Sequence, residues 1–171
     1  ILTFPQWGVA AQFGANALRT VGVDAWKEPG WFLPWQNLAQ FLAPDYFGNP
    51  ATLNYFGVWN YMEFVGYIGI IPTMLAVVSL ISRKSKQEWF FVIVLIVCLA
   101  FSLSSVFSEI PYKFHLLLIS MAQPTRLMIL IDFSLSMMAA FGMQSLLAGK
   151  QRKSLIIAVL LLSLGFVALW F

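Results

Sequence analysis

Few side chains in this sequence can carry chemistry, and most of them stand at the edges of apolar runs. Arg126 precedes the run Leu127 to Gly149, in which Asp132 is the only charge. A guanidinium stays charged and grips phosphate in bidentate fashion, so Arg126 is a candidate for holding an anionic group; an interfacial arginine reaching to lipid headgroups is the plainer account. Asp132 follows about 9 Å further on if both residues share a helix. A carboxylate inside an apolar span costs about 2.5–3.5 kcal/mol on insertion scales, and such residues face a bundle interior or a cavity. Asp132, Ser136, Ala140 and Gln144 recur every four residues, a small and polar stripe suited to close helix packing and interhelical hydrogen bonds. Asp45, Asn49, Asn60 and Glu63 gather ahead of another apolar run, with Tyr46, Trp59 and Tyr67 among them. Carboxylates and amides beside aromatic rings suit sugar recognition, and they equally suit an ordered turn and a helix start. Arg19 completes the set of candidate binding residues, while Lys27 and Lys113 read as solvated or headgroup contacts.

Other chemistries lack their residues. His115 has no Asp, Glu or Cys at ligand spacing, so no metal site is expected. Cys98 is the single cysteine, inside an apolar run, and makes neither a disulfide within the chain nor a zinc cluster. No phosphate-binding loop, dinucleotide glycine fingerprint or nucleophile elbow is present, and no cofactor is evident.

The elements that position these residues follow from composition. The 171 residues are 60% hydrophobic and 10% charged, with a mean hydropathy of +0.81. A soluble domain is about 45–50% apolar and about 25% charged. The expectation is an all-α integral membrane protein, since apolar runs that do not alternate in polarity cannot be barrel strands. Four spans are expected, over residues 64–82, 89–108, 127–149 and 154–171. Arg83, Lys84 and Lys86 occupy one short loop, and Lys150, Arg152 and Lys153 another. The positive-inside rule sets both loops in the cytoplasm, so residues 1–63 and 109–126 lie outside a cytoplasmic (inner) membrane crossed several times. Net charge is only +3, and nucleic acid is not an expected partner.

Residues 1–63 form an external region rather than a span. Trp7, Trp26, Trp31, Trp35 and Trp59 suit the headgroup layer, and a platform for sugar rings or lipid is the sharper alternative. Gln6 to Arg19 could be a helix on the membrane surface, and Pro34 to Leu42 reads as a short helix. Gly48, Asn49 and Pro50 demand a turn. A short interfacial helix is expected near 111–123, bracketed by Pro111 and Pro124. Pro72 is expected to kink the first span, with Gly66 and Gly69 allowing close approach of a neighbour. Ile1 and Phe171, the latter inside an apolar run, suggest a piece of a longer protein.

One stretch is distinctive: Ala43-Pro44-Asp45-Tyr46-Phe47-Gly48-Asn49-Pro50, then Asn60-Tyr61-Met62-Glu63, then Tyr67-Ile68-Gly69-Ile70-Ile71-Pro72. It resembles the YfhO family of bacterial membrane proteins, in which a P-x-x-F-G loop precedes a Y-x-G-x-x-P span. Gln123-Pro124-Thr125-Arg126, leading to a small-residue span with Gly142, is similar to the family's Pro-Arg approach to a later helix. Pro5 and Leu18-Arg19 stand where the family has Pro and Ser-x-Arg, with Ala17 here in place of the serine. The resemblance covers the middle of the usual family protein.

The resemblance implies a many-helix protein similar to GT-C glycosyltransferases, which move a sugar from a polyprenyl-phosphate carrier to an acceptor on the outer face. The family is linked with glycosylation of cell-envelope polymers such as lipoteichoic acid. Its expected partners are membrane lipids and a polyprenyl-phosphate-linked sugar. The catalytic acid of such enzymes lies in an early external loop, so it is expected outside this stretch of chain. The alternatives are a transporter or lipid flippase, for which Asp132 and Pro72 would serve, and a non-catalytic membrane scaffold.

Overall fold

A computed structural model describes residues 8, 9, 12, 25–58, 61–82, 85–114, 122–149 and 152–170. Within them the chain is helical: α1 Tyr61–Phe64, α2 Ile70–Ile81, α3 Lys86–Ser102, α4 Val106–Lys113, α5 Met128–Leu147 and α6 Arg152–Trp170, joined by short 3-10 turns. The fold is therefore all-helical among the described residues, with a single bridge between Leu33 and Leu103 as its one piece of β pairing.

Helix α5 is the centre. It runs parallel to α2, because Gly66 ahead of α2 sits against Met128 while Leu75 sits against Gly142. At Gly142 a methyl group would overlap the Leu75 carbonyl, so only glycine lets these two backbones come so close. Helix α3 packs antiparallel to α5. Ser102 Oγ donates to the Pro124 carbonyl at 3.1 Å, and Phe91 lies against Phe133 and Phe141, at ring separations of 5.9 and 6.1 Å. A reciprocal capping box between Ser85 and Glu88 starts α3. Helix α6 lies along α2, with Gly165 beside Leu42. Phe64, Ala76, Val92, Leu95, Ile131 and Met138 form the heart of the shared core.

The element expected over 64–82 is not one helix. Val65–Gly69 is not helical and α2 begins at Ile70. Gly69 adopts φ 104°, ψ 148°, a conformation open essentially to glycine. Pro72 then falls in the first turn of α2, where its missing N–H is harmless, so it starts the helix instead of kinking it. The element expected over 89–108 ends at Ser102, and Ser105 caps a separate α4. The short helix expected near 111–123 falls mostly on residues 115–121, which lie outside the described residues; α4, just ahead of it, carries Pro111 inside it. By length and composition Pro124–Leu147 could cross a membrane, and α2 with α3 pass the same test only as a pair bent by 116°.

Residues 25–58 form a layer over one end of the bundle. Leu33 N–H donates to Ser102 O at 2.8 Å, and Ser104 N–H donates to Leu33 O at 3.0 Å. The Trp35 indole donates to Ser104 O at 2.7 Å. Tyr112 of α4 is packed by Trp26, Trp31 and Phe32. The expected helix over Pro34 to Leu42 is a 3-10 segment, Trp35–Phe41, with Pro34 as its cap. The start of α3 and the end of α5 meet at the opposite end, where Glu88 and Gln144 line one cleft.

Candidate functional site

Four of the five candidate residues lie among the described ones; Arg19 lies outside them, as do His115, Trp59, Asn60 and all but isolated positions of the helix expected over Gln6 to Arg19. Glu63 is held by Thr125, whose hydroxyl donates to Glu63 Oε2 at 2.8 Å. Thr125 is buried and Arg126 beside it is exposed. The 3-10 turn Pro124–Leu127 makes this alternation: its first residue is a proline with φ preset, and Arg126 N–H closes the turn on Gln123 O. Glu63 and Arg126, distant in sequence, are thereby brought to the same end of the bundle.

Arg126 stands on a cavity of about 360 Å³ between α3, α4 and the Ala122–Leu127 stretch. Phe101, Pro111, Tyr112 and Leu127 make its walls mostly apolar. The polar lining groups other than Arg126 are already committed. Tyr112 donates to Ala122 O at 2.6 Å, Gln123 Nε2 to Gly30 O at 3.1 Å, and Ser108 Oγ to Ser105 O at 2.7 Å. Arg126 forms no ion pair among the described residues. An apolar chamber edged by a guanidinium with no ion pair among the described residues suits a ligand with a lipid chain and an anionic head.

Asp45 belongs to a second cluster. Its Oδ1 accepts from Tyr61 OH at 2.7 Å and from Asn49 Nδ2 at 3.0 Å. The hydrogen bond to Asp45, with burial as a second cause, holds the Tyr61 phenol above its usual range. Tyr61 and Glu63 sit on the same short α1, which ties the Asp45 cluster to the Glu63–Thr125 pair. Asp45 and Tyr46 also line a cleft of about 570 Å³ against Phe166 and Leu169 of α6. Tyr61 and Thr125 stand within the quoted motifs but are not among the candidate site residues, and the sequence says nothing of their partners.

Asp132 is half-buried, and its Oδ1 is enclosed without a hydrogen-bond partner among the described residues. The stripe expected to pack inward turns outward: Ser136, Ala140 and Gln144 are exposed. The buried face of α5 is Met128, Ile131, Ser134, Met138 and Gly142 instead. Gly142 wins that face because α2 must approach its backbone. Lys113 pairs with Glu109 at 2.7 Å, one helical turn away, and Lys27 lies over the Trp26 ring. No group of three potential metal ligands forms among the described residues.

Comparison with family models, with curated proteins and with solved structures finds no match.

Proposed function

We propose that the chain is part of a membrane-embedded, glycosyltransferase-like protein that holds a polyprenyl-phosphate-linked sugar on the outer face of the cytoplasmic membrane. The observation that carries this reading is the apolar cavity with Arg126 at its edge. The isoprenoid chain would enter the cavity, and the phosphate would meet the guanidinium. A fixed cation there would stabilise the bound donor and, more strongly, the phosphate that departs as the sugar is transferred. The acceptor in this reading is a cell-envelope polymer or lipid.

The membrane setting is part of the proposal. A soluble bundle hides its apolar residues, yet α3 exposes Ile93, Ile96 and Val97, and α6 exposes Leu160, Leu164 and Val167. Four crossings remain our reading. The 12 residues of α2 rise about 18 Å, and the five non-helical residues Val65–Gly69 ahead of them lengthen that reach. In this reading the two together make the first crossing of a hydrocarbon core about 30 Å thick. The test is sugar transfer from labelled polyprenyl-phosphate donors by membranes carrying the intact protein. Transfer should be lost in Arg126→Ala while the protein stays folded and inserted. Transfer unaffected by that change would remove Arg126 from the donor site, and no transfer from any donor would remove the enzyme.

A transporter or lipid flippase is the second reading, favoured by the interrupted span at Val65–Gly69, since broken helices line substrate sites in such proteins. It requires Asp132 to be reachable from both sides of the membrane in turn. A cysteine at position 132 modified from one side only would exclude it.

A further inference from the structure

The loop from Phe47 to Val58 contains no charged residue, and its tip is a leucine in a conformation that leucine disfavours. Leu53 has φ 57°, ψ 24°, the left-handed region normally left to glycine or asparagine. It is also 94% exposed, so neither packing nor burial in this chain rewards it for being there. Phe56 and Met62 nearby are 74% and 86% exposed. An outlier that the rest of the structure enforces, on an apolar side chain offered to the outside, points to a binding role.

The loop is built to hold that side chain still. Gly48 closes its neck at φ 80°, where a methyl group would overlap the Asn54 carbonyl. Asn49 caps the turn Pro50–Thr52 by accepting from Ala51 N–H at 2.9 Å. Asn54 Oδ1 accepts from Asn49 N–H at 2.9 Å and from Thr52 Oγ1 at 2.7 Å. Phe56 N–H donates to Phe47 O at 3.0 Å, and the Phe47 ring meets those of Tyr46 and Phe56 edge-on. The root of the loop rests on the end of α6, where Asp45 and Tyr46 share a cleft with Phe166 and Leu169.

We infer that this loop is a membrane finger, with Leu53 and Phe56 inserted at the boundary between headgroups and acyl chains. Three observations select lipid as the occupant. The loop carries no charge to be desolvated. It joins, at its root, the apolar end of a helix whose outer surface is itself exposed and apolar. Its exposed apolar side chains, Leu53 and Phe56, are aliphatic and aromatic, and the exposed Thr52 and Asn54 beside Leu53 hydrogen-bond to each other at 2.7 Å, an amphipathic composition that suits an interfacial anchor. The inference rests on the membrane-embedded reading above but not on any enzymatic activity.

The test uses the intact protein in phospholipid nanodiscs, with Cys98→Ala as background and an environment-sensitive fluorophore on Leu53→Cys or, separately, Phe56→Cys. Val97→Cys on the exposed face of α3 is the bilayer reference, and Glu28→Cys is the aqueous one. The finger predicts several-fold stronger quenching of the labels at 53 and 56 by shallow spin-labelled lipids than by iodide, with Glu28 showing the reverse. Iodide quenching at 53 and 56 equal to that at Glu28, with Val97 still quenched by lipid, would overturn the finger alone. Protection at 53 and 56 from both quenchers would overturn it in favour of a protein partner. A Val97 label untouched by lipid would overturn the membrane reading and the finger with it.

Discussion

The Thr125 hydroxyl donates to Glu63 Oε2 at 2.8 Å across 62 positions of chain. This bond fastens α1 to the turn that presents Arg126. Thr125 is buried, so Glu63→Ala would strand its hydroxyl and is expected to lower stability by about 1–3 kcal/mol. Glu63→Gln keeps an acceptor oxygen and should lose less. Thermal unfolding of the purified protein in detergent orders the two variants. Equal losses would mean that the carboxylate contributes through charge rather than through this bond.

Among the described glycines, Gly142 is the one whose added methyl would meet another backbone most closely, at the Leu75 carbonyl. Gly142→Ala drives a methyl into the Leu75 carbonyl, and α2 and α5 must separate. A loss of about 3 kcal/mol is expected, at the upper end for overpacking. Gly149→Ala meets no atom within 4 Å and suffers only from its φ of 72°, so it should lose about 1 kcal/mol. Denaturation midpoints of the two variants should differ accordingly; similar midpoints would argue against the tight α2–α5 contact.

Interruption of the first apolar run makes its own prediction. Gly69→Ala puts a Cβ where φ is 104°, with an expected loss of about 1–3 kcal/mol. Nothing but Pro72 crowds that position, at 3.3 Å from a Cβ, so the loss reports the backbone. A stability unchanged by Gly69→Ala would indicate a continuous helix through 65–69.

Tyr61 should ionise late. Its raised pKa has the hydrogen bond to Asp45 as first cause and burial as second. The neutral phenol is the donor, and the folded state holds its proton more tightly than the unfolded chain does. The stabilisation is therefore complete below the usual tyrosine pKa of 10.0 and is lost as pH rises through the higher folded value. Ultraviolet absorbance titration should show the Tyr61 signal moving to lower pH in Asp45→Asn. No movement would mean that the bond in the structure does not form in solution.

Leu53→Gly should be at least as stable as the parent in detergent, by up to about 1 kcal/mol, because relief of left-handed strain outweighs the entropy that glycine adds to the unfolded chain. A clear loss would show that the Leu53 side chain packs against protein.

The sequence by itself determined the class of elements and the ends of several. Long apolar runs without alternation called for helices, and α3, α5 and α6 form where those runs stand. Gly48-Asn49-Pro50 demanded a turn, and Gly48 at φ 80° with Asn49 capping the next residues supplies it. Glu63, Arg126, Asp132 and Asp45 stood out because charge is rare among apolar residues. Tertiary structure decided the rest. A hydropathy pattern is a property of one segment, so it cannot tell that Val65–Gly69 stays out of the helix, which depends on Gly69 and on the fit of Gly66 between Phe41 and Met128. Nor can periodicity choose between the two faces of α5. The polar stripe of Asp132 looked like the packing face, but a carbonyl at Leu75 needs the missing side chain of Gly142, and that contact turned the stripe outward. The partners Thr125 for Glu63 and Tyr61 for Asp45 lie 62 and 16 positions away, and pairings at such separations exist only once the helices have been brought together.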